Sequence, residues 1–355
     1  MRAGERCHDP AIRQSSRTST SMETEAGTVG VGLVLLMDLF ADTHHSTRTI
    51  TMNTSIHRCL CILTLALLLA NGFASPPASP EPVSDDLPNR PKVPGTLRLN
   101  LRERKETAPG SKEFKLVERT VDWEVSKTAV IIVDMWDGHF CRLAAQRLGV
   151  MAPRMNAAIS AARNHGVQII HAPSGVTYMY ADLPYRKRMQ QAPLKKMPDG
   201  WNPSKWCDLD PSREPPMPVD TSTGSSDDPI VGAAVQQFTR QHPGLDIVGY
   251  DGISDNAQEI FNFCEANGIS HIVIMCVHTN MCILGRPFGI RAMTRLGRNV
   301  VLARDLTDAM YDPRQPPFVS HARGTELVIE HIEKYWCPTI LSDDITKVVP
   351  GSAGP

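Results

Sequence analysis

The sequence predicts a doubly wound α/β fold, a parallel sheet with helices on both faces. Three observations carry that expectation. Apolar, β-branched runs without alternation, "TAVIIVDM" and "HIVIMCV" among them, read as strands buried on both faces. Helical stretches separate these runs, and Gly166 and Gly268 close two of the stretches. No repeat of solenoid period interrupts the alternation.

In chain order, "TAVIIVDM" is a strand ending in Asp134, and "MAPRMNAAISAARNHG" is a helix stopped by Gly166. "VQIIHAPS" is the second strand. "NAQEIFNFCEANG" is a helix and "HIVIMCV" the third strand. "ILGRPFGIRAMTRLG" reads as one helix that tolerates Pro287 in its first turns. "NVVLARD" is the fourth strand, and "GTELVIEHIEKYW" is a helix with Thr325 as N-cap. "PTIL" is a last short strand. Between Asp182 and Pro229 the pattern fails, and a connection of that length, rich in Pro, Gly, Ser and Asp, reads as a lid or flexible insertion over 182–229.

The ends of the chain read differently. Met52 opens "MNTSIHRCLCILTLALLLANGFASPPASP". Arg58 gives a positive n-region, Cys59 to Ala70 an apolar h-region short for a membrane span, and Gly72 and Ala74 small residues before a cleavage point. This predicts a signal peptide over 52–74, with an anchor helix as the alternative. Met52 is then the start, and 1–51 is untranslated or disordered. Residues 75–111, rich in Pro and charge, read as a disordered linker. One domain is expected over 112–345, followed by a disordered tail over 346–355. The expected location is secreted or periplasmic, with no membrane attachment after cleavage.

The 355 residues carry 37 Lys+Arg against 38 Asp+Glu, a net charge of -1, so there is no electrostatic case for nucleic acid. Of the 9 cysteines, Cys7, Cys59 and Cys61 precede the domain. Cys141, Cys207, Cys264, Cys276, Cys282 and Cys337 remain, in no disulfide framework and no CxxC pattern. No metal and no cofactor are expected.

In parallel sheets sites lie beyond the carboxyl ends of the strands. Asp134, His171, the bend before Cys282 and Asp305 all fall there and are expected to converge. Cys276, inside an apolar strand, reads as a buried, inert thiol. Cys282 follows the polar bend "HTNM" at a helix start, where unpaired backbone N–H groups favour a thiolate and are placed to hold an oxyanion. The same position also fits a cysteine that merely packs under the helix. A buried Asp134 suits a proton shuttle, or a hydrogen-bonded loop carboxylate. Trp136 reads as an apolar pocket wall or as packing, and His139 as pocket-lining or exposed. His171 reads as substrate-facing or as a loop histidine. His278 and Asn280 are candidates to hold the bend or a substrate, and Asp305 and Asp308 are read as caps.

"AVIIVDMWDGHF", followed much later by "VIMCVHTNMCILGRPFGIRAM", resembles the isochorismatase-like cysteine hydrolases, which include nicotinamidases and related amidases. The resemblance runs from about Lys127 to Tyr335, interrupted by the insertion. It implies a six-stranded parallel sheet in a Rossmann-like layout, a nucleophile at Cys282, an acid–base group at Asp134, and a cis peptide at Val277–His278. It implies hydrolysis of an amide or related C–N bond in a small molecule through a thioester. His278, Met281, Trp136, His171 and Arg286 are then the substrate-binding or oxyanion candidates. A homo-oligomer is compatible with the family.

The chain departs from the family in two places. The family lysine falls on Tyr250 or Asp251, with no lysine near, so Arg240, Arg286 and Lys187 are the candidate cations. No Asp-x-His follows the second strand, so no nicotinamidase-type zinc site is expected. The missing lysine keeps open a non-catalytic small-molecule-binding protein on the same fold. An isochorismatase-type vinyl-ether hydrolase is a third reading.

Overall fold

A computed structural model describes residues 88–91, 93–229 and 238–349. Residues 1–51, the expected signal peptide, residues 75–87 of the expected linker and 350–355 of the expected tail lie outside the described residues.

Strands β1 (Thr96–Glu106) and β2 (Phe114–Glu124) form an antiparallel hairpin. The central strands are β3 (Thr128–Val133), β4 (Gln168–Ala172), β6 (His271–Val277) and β7 (Asn299–Asp308). The short strands are β5 (Gly252–Ile253), β8 (Thr339–Ile340) and β9 (Val348–Val349). The helices are α1 (Arg142–Asn164), α2 (Pro184–Gln190), α3 (Ala257–Ala266), α4 (Cys282–Gly285), α5 (Ile290–Arg295) and α6 (His321–Tyr335). One 9-stranded sheet has the order β2-β1-β8-β7-β6-β3-β4-β5, with β9 on β1. The run from β8 to β5 is parallel throughout.

Side chains alternate across a strand, so each central strand feeds two cores. Ala129, Ile131 and Val133 face the helices α3, α5 and α6 through Ile260, Ile290 and Val328. Val130 and Ile132 face α1 through Leu148, Met155 and Ile159. That double burial is why these strands read as unbroken apolar runs. The observed α/β architecture is the expected one, extended at one edge by the antiparallel hairpin.

Five expectations are corrected. The stretch read as linker contains β1, whose Leu97, Leu99 and Leu101 alternate inward against the α1-side core. Its outward charges pair rather than solvate a coil: Arg98 meets Asp122 at 3.0 Å, and Glu103 meets Arg119 at 2.9 Å. The tail contributes β9, which pairs with Thr96 and Leu97. The single helix expected over "ILGRPFGIRAMTRLG" is two, α4 and α5. Pro287 drives Arg286 out of the helical region, to ψ 148. The N-cap of α6 is Ser320, which accepts from the Arg323 N–H, while Thr325 lies one turn in and accepts from the Ala309 N–H at 3.1 Å.

The fifth concerns the insertion over 182–229, which is tied down rather than loose. It contributes α2, and buried Glu214 accepts hydrogen bonds from Arg291 and His331 at 2.7 Å and from Trp336 at 2.8 Å. Asp210 pairs with Arg295 at 3.0 Å. Among the described residues no helix is long and apolar enough to cross a membrane.

Candidate active site

The bend after β6 and the end of β3 meet at one point. Asp134 is fully buried with φ 53, a left-handed backbone that an Asp tolerates better than most residues. Its Oδ1 accepts from the Ser174 N–H at 2.9 Å. Its Oδ2 accepts from both Nε and Nη2 of Arg286, at 3.2 and 3.1 Å. The Cys282 thiol lies against the same carboxylate and the Arg286 guanidinium, and the three groups act on one another electrostatically. The cation beside Cys282 is therefore Arg286, one of the three candidates. Of the other two, Arg240 sits 3.7 Å from Asp137, and Lys187 lines a separate cavity with Asn89 and Phe263. A signal for Arg286 was present in the spacing. Four residues after Cys282 it lies one helical turn on, and its N–H bonds the Cys282 carbonyl at 3.0 Å.

Burial sets the electrostatics. It pushes the Asp134 carboxyl above its ordinary value, although Arg286, the Cys282 thiol and Ser174 pull it down. Burial also pushes the Cys282 thiol well up, Asp134 adds to the rise and Arg286 opposes it. Burial therefore keeps Cys282 in its thiol form at rest. The sequence led us to expect a thiolate favoured by a helix N-terminus. That expectation fails because α4 is a single turn and Cys282 is almost completely buried. Cys276 is buried against the Met135 sulfur at 3.2 Å, and burial raises its thiol far above ordinary.

A second group of residues holds the bend. The Val277–His278 peptide is cis, and the His278 backbone acts on the Cys282 thiol, pulling it down slightly against burial. The His278 ring is fixed by a chain of bonds. The Cys141 N–H donates to His139 Nδ1 at 3.0 Å, so the proton of a neutral His139 is on Nε2. His139 Nε2 then donates to His278 Nε2 at 3.0 Å, and His278 Nδ1 donates to the Asp308 carbonyl at 3.3 Å. Burial keeps both rings neutral, at about 4 for His139 and, with His139 adding to it, about 3 for His278. His139 is thus neither exposed nor open to a ligand, and its coupling to His278 has no signature in sequence spacing.

Other candidates are engaged elsewhere. His171 is fully buried, with Nε2 3.2 Å from Asp251 and Nδ1 3.1 Å from Gln241, so it does not face the Cys282 cluster. Asp305 holds Ser342 through two bonds of 2.8 Å. Asp308 pairs with Arg147 and His321. Of the four strand-end groups expected to converge, only Asp134 and the Cys282 bend do. Met281 is exposed, and its N–H is spent on the His278 carbonyl at 2.9 Å, so it is no oxyanion donor. Trp136 packs on Phe238, with ring centroids 4.2 Å apart, and donates to the Ser174 carbonyl at 3.1 Å. Asn280 holds Met310 through paired amide bonds of 2.9 Å. At the position of the family lysine, Tyr250 bonds the backbone of Arg163 and Val167, and Asp251 pairs with Arg163. Among the described residues the cysteines are free, and no group of three His, Cys, Asp or Glu side chains is placed to hold a metal.

The chain is similar in structure to isochorismatase-like cysteine hydrolases and to a nicotinamidase. A cysteine hydrolase from Pseudomonas syringae pv. phaseolicola 1448A matches with TM-score 0.39 and 17% identity, covering 62% of this chain and 91% of that one. A candidate isochorismatase hydrolase from Oleispira antarctica matches with TM-score 0.35 and 12% identity, covering 62% and 96%. A nicotinamidase/pyrazinamidase from Acinetobacter baumanii matches with TM-score 0.31 and 11% identity, covering 62% and 98%. No family model and no curated protein matches the chain. These likenesses concern backbone shape, and the side-chain roles below rest on the geometry above.

Proposed function

We propose that this chain is a cysteine hydrolase that cleaves an amide or related C–N bond of a small molecule. The observation that carries the reading is the single cluster of Cys282 thiol, Asp134 carboxylate and Arg286 guanidinium at the carboxyl ends of β6 and β3. The Cys282 sulfur attacks the carbonyl carbon as its proton passes to Asp134, whose raised affinity for protons suits that transfer. Negative charge builds on the carbonyl oxygen, and Arg286 is the fixed cation beside it. Asp134 returns the proton to the leaving nitrogen as the C–N bond breaks. Water then attacks the thioester, giving Asp134 a proton that passes back to the departing sulfur. Export belongs to the same proposal and rests on the Met52–Ala74 signal pattern alone.

The test is release of ammonia or amine from a panel of small amides. Cys282→Ala is expected to lower turnover at least about 1000-fold. Equal release by variant and wild type would sink the mechanism. A non-catalytic binding protein on the same cluster remains the second reading, because Arg286 already engages Asp134 in an ion pair. In that case no amide is turned over, and wild type and Cys282→Ala bind the same small molecule without releasing product.

A further inference from the structure

Arg286 is held on two sides, and the second comes from the insertion. The Trp206 ring lies over the Arg286 guanidinium, 4.6 Å from carbon to ring centroid. Gly285 lets the ring come this close, since a Cβ there would sit 2.8 Å from Trp206 Cε3. The insertion backbone is bonded to the same turn. The Cys207 N–H donates to the Gly285 carbonyl at 2.7 Å, and Arg291 Nη1 donates to the Cys207 carbonyl at 3.2 Å. Glu214 anchors the far end of the segment on Arg291, His331 and Trp336. Trp206 is nevertheless 39% exposed, so core burial does not account for its place. An aromatic face over a guanidinium restricts that group to its plane and attracts its charge.

We propose that Trp206 is a positioning residue. Its ring holds the Arg286 guanidinium in the one orientation that meets both the Asp134 carboxylate and the Cys282 thiol. The insertion is then a fixed wall of the site rather than a lid over it. This rests on the reading of Cys282 as the nucleophile and Arg286 as its cation.

The test follows the rate of Cys282 alkylation by iodoacetamide at one mildly alkaline pH, read by mass on the Cys282 peptide of the intact chain. Below the titration range of a raised thiol that rate is proportional to its thiolate fraction. Trp206→Leu is expected to lower the rate about threefold. Trp206→Phe, which keeps an aromatic face, restores the wild-type rate. In an Arg286→Gln background, Trp206→Leu moves nothing further, because the cation it acts through is gone. Thermal melting of each variant separates this from unfolding. A rate that stays, rises, or falls equally in both backgrounds would overturn the proposal. Alkylation needs no turnover, so unchanged amide hydrolysis by Cys282→Ala sinks the reaction while this readout still decides the role of Trp206.

Discussion

Two buried aspartates lie beyond strand ends of this sheet, each facing an arginine, and they behave in opposite ways. Asp251 meets Arg163 through both oxygens, at 2.8 Å each, and also accepts from His171 and the Val248 N–H. Burial pushes its carboxyl up, but the His171 and Arg163 bonds outweigh burial and hold it below the ordinary value. Asp134 meets Arg286 through one oxygen only, at longer distances, and shares its carboxylate with a thiol. There burial prevails and the carboxyl is raised. The same two residue types thus form a closed structural pair in one place and a proton-accepting site in the other. The deciding factor is how well the donors fit: Arg163 meets both oxygens of Asp251 at 2.8 Å, whereas Arg286 meets one oxygen of Asp134 at 3.1 and 3.2 Å.

Neutralising each carboxylate breaks this comparison most directly. Asp251→Asn leaves Arg163 buried without its partner and is expected to cost about 3–5 kcal/mol, read by chemical denaturation. Asp134→Asn is expected to change stability by no more than about 1 kcal/mol at pH 7. A raised carboxyl binds its proton more tightly in the folded than in the unfolded chain, so its ionisation already works against folding above that range. The same variant is expected to lower amide turnover about 1000-fold. Equal stability losses for the two would remove the distinction.

Exchanging the arginines sharpens it with smaller effects. Arg286→Gln is expected to lower turnover about 100-fold with little change in melting. Arg163→Lys loses the two-point geometry and is expected to cost about 1–2 kcal/mol of stability while turnover stays within about twofold.

The smallest effect comes from a third cluster and runs in the opposite pH direction. Burial lowers the His321 imidazole, but Asp227 and Asp308 outweigh it and raise the ring to about 9. The stability it supplies is full below the unfolded value of about 6.5 and is lost as pH rises through the folded one. Melting is expected to fall modestly across that window. In His321→Gln the fall is expected to flatten, and a fall as steep as wild type would remove His321 as its source.

The central sheet was legible because burial on both faces leaves a period-free apolar signature, as in "TAVIIV" and "HIVIMCV". The hairpin was not, although Leu97, Leu99 and Leu101 carry a period of two. Its charges read as solvated when they are paired across strands and onto α6, as Arg102 is with Glu333 at 2.6 Å. In the site, Cys282 and Asp134 were visible as strand-end groups. Trp206 and the His139–His278 bond were hidden, because each depends on contacts between segments tens of residues apart or more. The state of the thiol was misjudged for a related reason: sequence shows a helix start, whereas depth of burial is a property of the assembled fold.

Pro287 ends α4 after one turn, so the sulfur and its counter-charge travel on one five-residue piece of backbone, Cys282 to Arg286. The carboxylate sits on a different element, at the end of β3. The site is in effect a two-part device with a single seam. A local opening that lifts the Cys282 turn carries thiol and guanidinium away together, breaks the Arg286–Asp134 ion pair and leaves the carboxylate behind. On the proposed mechanism proton transfer then stops while Arg286 stays with the sulfur, so switching off is a matter of separation across the seam rather than of damage to either half.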